Sequence, residues 1–170
     1  ARFLVDQVST REGLESLERA KAKGLEVFAS ASTNHLTFNE IDIGDYRTFF
    51  RLDPPLRAER DRLALIDAVS SGLIDVVVSN HSPAPAEHKR LPFSEATPGA
   101  LGLQTLLAAL IGLHHENDIP LIDLLRTVTQ NPAQLLGLDA GRIAKGAPAD
   151  LILVDIDAPF ALREKDILSK

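Results

Sequence analysis

The feature that most constrains the fold is a continuous apolar run, Ile74 and Val76–Val78, that ends abruptly in the polar residues Ser79–Pro83. An apolar, β-branched run of this length predicts a strand buried on both faces, as in a parallel sheet. In α/β folds the functional residues follow the carboxyl ends of such strands. The polar residues are therefore a candidate site, although serine, asparagine and proline are also common in plain turns.

The rest of the chain repeats the pattern of a strand followed by a helix. Strands are predicted at residues 2–8, 25–31, 73–79 and 150–155, and helices at 11–23, 58–71, 100–115, 119–127 and 131–136. Ser9 or Thr10 is the expected N-cap of the first helix. This order of elements predicts an α/β fold with parallel strands.

Only about three βα units are visible, whereas a closed barrel of parallel strands has eight. Either protein outside this sequence completes the sheet, or the fold is a small open sheet. The first is favoured because the polar connections at 36–53 and 84–99 are too elaborate for a minimal sheet. The chain also contains no methionine and opens on the apolar residues Phe3–Val5, so we expect it to start inside a longer protein.

Composition narrows the range of possible partners. The 170 residues carry a net charge of -6 and no basic run, so neither nucleic acid nor an anionic membrane is an expected partner. No apolar stretch reaches the about 18 residues that a membrane span needs. The absence of cysteine excludes disulfides and thiolate metal ligands. Together with the lack of a signal-peptide pattern, these features predict a cytoplasmic protein.

Several motifs, in order and at matching spacing along almost the whole chain, resemble those of dihydroorotases in the amidohydrolase superfamily. Asp53–Arg57 resembles the family's Asn-Pro-Pro-Leu-Arg, Ser79–Pro83 its Thr-Asp-His-Ala-Pro, and Gly99–Thr105 its Gly-x-x-Gly-Leu-Glu-Thr. Asn131–Ala133 and Ala149–Leu151 resemble the end that is common to amidohydrolases.

The resemblance implies a TIM barrel, a (β/α)8 fold, with a small flanking β-domain. Residues 1–137 would be the last βα units of the barrel, and residues 138–170 would return into the small β-domain. The family's zinc site also uses a His-x-His motif and a metal-bridging carboxylated lysine, which would lie upstream of this sequence. Residues 1–170 alone would therefore not make the family's whole active site.

Two positions that the resemblance marks as metal-binding carry amides in this chain. Gln7 stands where the family has a metal-binding histidine, and Asn80 stands where it has an aspartate that binds metal and acts as general acid and base. A neutral amide is a poor zinc ligand beside imidazole, and it cannot take up the proton of the attacking water. We therefore expect zinc to bind weakly or not at all.

The resemblance also implies a substrate-binding set that is altered in part. Asp53 replaces an asparagine and Ala84 replaces a histidine, while Arg57, His35 and Gly99 complete the set. Simpler roles are open for two of these residues. A role as a capping or loop residue is favoured for His35 over substrate binding, and Arg57 would serve as easily as the partner of a strand-end carbonyl or an aspartate.

Other polar residues have ordinary structural explanations. His81 is expected to be a hydrogen-bond donor close to the site, because one histidine does not hold a metal by itself. Solvated surface positions are expected for His88, Lys89, Arg90, His114 and His115.

Two functions from different classes follow from the resemblance. The first is a non-catalytic dihydroorotase homologue that serves as a scaffold in pyrimidine biosynthesis. Its expected partners are aspartate transcarbamoylase or the missing N-terminal half of the same protein, in an oligomer. The alternative is an active zinc-dependent dihydroorotase whose remaining metal ligands lie outside this sequence. The substitutions at Gln7, Asn80 and Ala84 favour the first.

Overall fold

Three parallel strands form the sheet on which the chain folds. The computed structural model describes residues 1–169. Its strands are β1 (Phe3–Val5), β2 (Val27–Ser32) and β3 (Val76–Val78), and they lie in the order β1-β2-β3. Phe3 pairs with Val27 and Ser30 pairs with Val76, both in parallel register. The parallel arrangement predicted from the buried runs is confirmed, although β1 and β3 are shorter than predicted.

Seven α-helices connect and cover the strands in residues 1–169. They are α1 (Arg11–Ala22), α2 (Thr33–Thr37), α3 (Glu59–Ser70), α4 (Ala86–Lys89), α5 (Leu106–Asn117), α6 (Leu121–Val128) and α7 (Gln130–Leu136). Four of them agree with the predicted ranges to within two residues at each end, whereas α2 and α4 were not predicted. No helix of the described chain is long and apolar enough to cross a membrane.

The first helix, α1, shows why the local sequence is sufficient to predict where some helices begin and which side they bury. The Thr10 hydroxyl accepts a hydrogen bond from the amide of Gly13 at 3.1 Å, which makes Thr10 the N-cap. Leu14 and Leu17 lie on one side of α1 and are buried. The amide of Arg11, which has no partner within the helix, donates to the Asp61 carboxylate at 3.0 Å. This bond ties the start of α1 to α3.

Helix α5 begins at Leu106, six residues later than the start that its apolar pattern predicted. The preceding segment is held across the end of β3 instead. Ala100 forms a parallel bridge with His81, and the amide of Ser82 donates to the Ala100 carbonyl at 2.8 Å. These bonds use the backbone of Ala100 in a bridge, so the helix starts only after the segment has crossed the strand end.

One apolar core lies between the sheet and the helices. The strand segments contribute Ala29, Ala31, Ile74 and Val77, and the helices contribute Leu14, Leu17, Leu65, Ile66, Val69, Leu110, Leu113 and Leu124. Burying one side chain of this size is worth roughly 1.5–3 kcal/mol. Strand β1, at one edge of the sheet, is less covered: its residues Phe3 and Leu4 remain 64% and 41% exposed.

The strand predicted at residues 150–155 is not formed in the described chain, so that prediction is wrong. No regular secondary structure occurs between α7 and a short 3-10 helix at Glu164–Asp166. Leu151–Leu153 are exposed instead of paired, and Leu153 is fully exposed. An apolar run makes a strand only when a neighbouring strand supplies hydrogen-bond partners, and residues 1–169 offer none to this segment.

Candidate functional site

Polar residues follow all three strands at the same end of the sheet. Gln7 comes two residues after β1, Asn34 and His35 lie in α2 directly after β2, and Asn80 comes two residues after β3. Because the strands are parallel, their carboxyl ends meet at one edge. Gln7 and Asn80 have φ angles of 54° and 46°, in the left-handed region that side chains other than glycine rarely adopt. Such backbone strain is concentrated at functional sites.

The same four residues carry buried polar atoms without hydrogen-bond partners. Within residues 1–169 these atoms are Gln7 Oε1, Asn34 Nδ2, His35 Nδ1 and Asn80 Nδ2. Each buried, unpaired group costs about 1–3 kcal/mol, and native proteins contain few of them. Their concentration at the strand ends marks this edge of the sheet as a polar candidate site. Asn34 was not among the predicted site residues, although its place after a buried strand was a usable signal.

Residues 1–169 by themselves do not supply the donors of a complete zinc site. Residues 1–169 contain no group of three or more histidines or carboxylates that could hold a metal. Gln7 and Asn80 offer only neutral amides. His35 Nε2 lies 3.0 Å from the Pro54 carbonyl and 3.2 Å from that of Pro55, so this nitrogen is already engaged. A zinc site in proteins needs three or four thiolate, imidazole or carboxylate ligands.

His81 joins the end of β3 to the segment before α5. Its Nδ1 accepts hydrogen bonds from the amides of Gly102 at 3.2 Å and Leu103 at 3.3 Å. The proton therefore lies on Nε2, which is 3.2 Å from the Ser169 hydroxyl. His81 has the hydrogen-bonding role that was predicted, but Nδ1 acts as an acceptor.

The carboxyl-terminal segment crosses the same end of the sheet. The side-chain amide of Gln104 donates to the Asp166 carbonyl at 2.9 Å and accepts from the Leu168 amide at 2.8 Å. With the contact of Ser169 to His81, these bonds seat residues 166–169 beside the end of β3. Nothing in the local sequence signalled this contact, because both partners lie in polar stretches that are far apart in the chain.

His35 holds the Asp53–Arg57 turn against the end of β2. The imidazole is only 3% exposed, and its Nε2 donates to the carbonyls of Pro54 and Pro55. Burial lowers the pKa of His35 below its ordinary value, and the nearby Arg57 adds to that effect, while the two carbonyls oppose it. His35 is therefore a buried, neutral residue at pH 7, and it lies in α2 and not in a loop.

We expect the stability of the protein to fall as the pH drops below about 6.5, the ordinary histidine pKa. The folded-state pKa of His35 is lowered, so the unfolded chain binds more protons in this range and protonation favours unfolding. The stabilising contribution is complete above the unfolded pKa and is lost towards the folded one. Urea unfolding from pH 7 to pH 5 measures the effect, and His35→Gln should flatten the profile. An unchanged slope in that variant would show that other groups cause the pH dependence.

The predicted substrate-binding residues are brought close to the strand ends to different degrees. Arg57 Nε donates to the Ser9 hydroxyl at 3.4 Å, two residues from Gln7. Gly99, with φ 118°, packs so closely on Ser82 that a Cβ would lie 2.5 Å from the Ser82 carbonyl oxygen. The backbone of Gly99 is thus held against Ser82, which follows Asn80 by two residues in the chain.

Asp53 and Ala84 lie further out. The Asp53 side chain is exposed and lines a cavity of about 330 Å³ together with Arg51 and Phe93. Ala84 is half-buried in the loop that precedes α4. Among the described residues, the Asp53 carboxylate has no hydrogen bond to Gln7 or Asn80, and the methyl group of Ala84 cannot form one.

Two of the predicted surface positions are wrong. Lys89 is only 4% exposed, and its Nζ donates to the Gly99 carbonyl at 2.6 Å. His114 is half-buried, and its Nδ1 lies 2.7 Å from the Ile119 carbonyl. His88, Arg90 and His115 are exposed as predicted. Lys89 and Arg90 are neighbours in a polar loop, and hydropathy alone does not show which of the two side chains is buried.

The chain is similar to known proteins over most of its length. The model of the Amidohydrolase family matches residues 9–168. The dihydroorotase of Ehrlichia chaffeensis is 38% identical over 163 residues, which are 96% of this chain and 36% of that protein. The dihydroorotase of Aquifex aeolicus is 37% identical over 166 residues, which are 98% of this chain and 39% of that protein. The chain thus spans little more than a third of these curated relatives.

Solved structures show the same architecture. L-hydantoinase (dihydropyrimidinase) from Arthrobacter aurescens aligns with a TM-score of 0.82 at 26% identity, over 88% of this chain and 34% of that one. D-hydantoinase (dihydropyrimidinase) from Thermus sp. aligns with a TM-score of 0.79 at 24% identity, again over 88% of this chain and 34% of that one. The second likeness concerns the fold alone. The three βα units therefore have the arrangement found in one part of these larger proteins.

Proposed function

The chain belongs to the amidohydrolase family, and from this premise we propose that it is the carboxyl-terminal part of a dihydroorotase-like barrel protein that acts as a scaffold without metal catalysis. The family resemblance inferred from the motifs is confirmed. The loss of catalysis and the scaffold role are our proposal, and they concern the full-length protein.

The observation that carries the proposal is the pair of amides at the ends of β1 and β3. Gln7 and Asn80 occupy the positions at which the family resemblance implies a histidine ligand and a catalytic aspartate. Hydrolysis of a cyclic amide needs a group that takes a proton from water and returns it to the leaving nitrogen. A carboxamide cannot do this in the accessible pH range, so Asn80 has no means of replacing the aspartate.

The apolar surfaces that remain exposed fit the place of this chain in a larger barrel, in either of the two functions. Phe3 and Leu4 of β1 are partly uncovered, and Leu151–Leu153 are exposed. The first surface would pair with the N-terminal part of the barrel, and residues 138–169 would return into a small β-domain. Aspartate transcarbamoylase, in an oligomeric assembly, is the partner that we propose for the complete barrel.

The alternative function is an active zinc-dependent dihydroorotase. The dihydroorotases from Ehrlichia chaffeensis and Aquifex aeolicus, at 38% and 37% identity, favour this alternative. It requires that metal ligands outside this sequence are sufficient without Gln7 and Asn80.

Zinc content and dihydroorotate hydrolysis of the full-length protein separate the two functions. We expect the unaltered protein to hold zinc well below one ion per chain and to hydrolyse dihydroorotate at the background rate. The double variant Gln7→His and Asn80→Asp should bind more zinc, because it restores an imidazole and a carboxylate at the strand ends. Gln134→His with Asn117→Asp is the matched control, since it makes the same exchanges at exposed helical positions. Turnover with stoichiometric zinc in the unaltered protein would replace the scaffold proposal by the enzyme alternative.

A further inference from the structure

Lys89 is a buried ammonium group surrounded by backbone carbonyls. Its Nζ donates to the carbonyl of Gly99 at 2.6 Å and lies 3.3 Å from that of Thr48 and 3.5 Å from that of Arg51. We call these three oxygens the carbonyl cage. Its members come from two segments that are almost fifty residues apart in the chain.

The carbonyl cage contains no anion to neutralise the ammonium group. None of the ion pairs among residues 1–169 includes Lys89. Burial lowers the pKa of the Lys89 amine, and the neighbouring Arg51 lowers it further. A charge that is removed from water without an ion partner is costly, and lysine is almost never fully buried unless it is paired. The ion–dipole bonds to the three carbonyls are the compensation that the structure offers.

The carbonyl cage joins two loops that flank the candidate site. The Thr48 hydroxyl donates to the Lys89 carbonyl, and the Gly99 amide donates to the Arg51 carbonyl at 2.9 Å. The first loop continues from Arg51 directly into Asp53. The second is fixed to Ser82, because Gly99 packs against it. One ammonium group therefore lies at the junction of both loops.

We propose that Lys89 is a positioning residue, whose ammonium group fills the carbonyl cage as a bound monovalent cation would and thereby holds the loop that carries Asp53 against Gly99, which packs near the end of β3. Because the ammonium group is attached covalently, it does not dissociate from the protein as a free cation would, so the carbonyl cage stays filled. Any role of these positioned residues in ligand binding rests on the proposed function, whereas the role of Lys89 in the carbonyl cage does not.

Amide hydrogen exchange of the full-length protein tests the proposal. Lys89→Ala empties the cage, and Lys89→Met removes the charge while keeping the aliphatic stem, which guards against a simple loss of packing. In both variants the amides of Gly99 and Arg51 should exchange about 10- to 100-fold faster, since hydrogen bonds to a charged group are lost. Ammonium chloride should restore slow exchange in Lys89→Ala, and tetramethylammonium chloride at the same ionic strength should not, because it has no N–H. Arg90→Met is the control, since Arg90 is the exposed neighbour.

Three results would overturn the proposal. If the amides of Gly99 and Arg51 still exchange slowly in Lys89→Met, the packing of the aliphatic side chain holds the loops and the ammonium charge does not. If ammonium has no effect on Lys89→Ala, the cage does not act as a cation site. If exchange accelerates equally in β2 and β3, the role of Lys89 is general stability and not positioning. Zinc binding and hydrolysis are not used as measurements, so failure of the proposed function would leave this test intact.

Discussion

Replacement of Gly102 by alanine is expected to lower the free energy of unfolding by about 3 kcal/mol, at the upper end of the usual cost of overpacking. A Cβ on Gly102 would overlap the carbonyl oxygen of Ser79 and lie 3.1 Å from its carbonyl carbon. These are backbone atoms directly after β3, so no rotation of a side chain relieves the overlap. Either the segment before α5 or the end of β3 must move.

The same movement should disturb the candidate site. The amide of Gly102 donates to His81 Nδ1 at 3.2 Å, and Ala100 bridges His81 by its backbone. A shift of this segment would break the link between the end of β3 and the start of α5. Gly102 is thus required at this position for close backbone approach.

Urea unfolding of Gly102→Ala and Gly112→Ala measures the effect with a matched control. Gly112 lies within α5, and a Cβ there would meet no heavy atom within 4 Å. Because alanine favours a helix over glycine, Gly112→Ala should raise the stability by up to about 1 kcal/mol. Equal stabilities for the two variants would contradict the prediction, because they would show that the segment before α5 shifts to accept the Cβ without lowering the free energy of unfolding.

Replacement of Asp75 by alanine is expected to cost about 2–4 kcal/mol, somewhat less than the loss of one partner from a fully buried ion pair. The Asp75 carboxylate accepts from Lys21 Nζ at 2.8 and 2.9 Å and from the amide of Ala29 at 2.8 Å. Its removal leaves a β2 amide and an ammonium group without this acceptor. The side chains of Lys21 and Asp75 are 25% and 23% exposed, so water reduces the loss.

An exposed ion pair on α6 provides the control for Asp75. Asp123 pairs with Arg126 at 2.9 Å, but both side chains are about half exposed. Such pairs contribute little, so Asp123→Ala should change the stability by less than about 1 kcal/mol. The comparison by urea unfolding would contradict the prediction if Asp75→Ala were no more harmful than Asp123→Ala. In that case the contacts of Asp75 would be replaced by water.

Much of the fold follows from local sequence. The run of Ile74 and Val76–Val78 predicts a strand buried on both faces, and the structure places it in a parallel sheet. The stripe of Leu14 and Leu17 with a threonine cap predicts α1. Apolar periodicity and capping depend on neighbours within a few residues, so they are visible in the sequence itself.

The sequence also located the residues of the candidate site but not their contacts. Gln7, His35 and Asn80 were predicted from the family resemblance, and Asn80 also because it follows the apolar run of β3; all three lie at the carboxyl ends of parallel strands. Their orphaned polar atoms, and the engagement of His35 by Pro54 and Pro55, depend on how α2 and the proline turn pack.

The sequence by itself determined the three strands of the parallel sheet, most of the helices and the edge of the sheet at which the polar residues gather. Only the tertiary structure decided that Lys89 is buried, that α5 starts at Leu106, and that residues 150–155 form no strand. Each of these depends on a partner distant in the chain: the carbonyls around Lys89, the strand end beneath Ala100, and a neighbouring strand for residues 150–155. A local sequence pattern indicates which side of a segment is apolar, whereas the packing of remote segments decides which residues that side contacts.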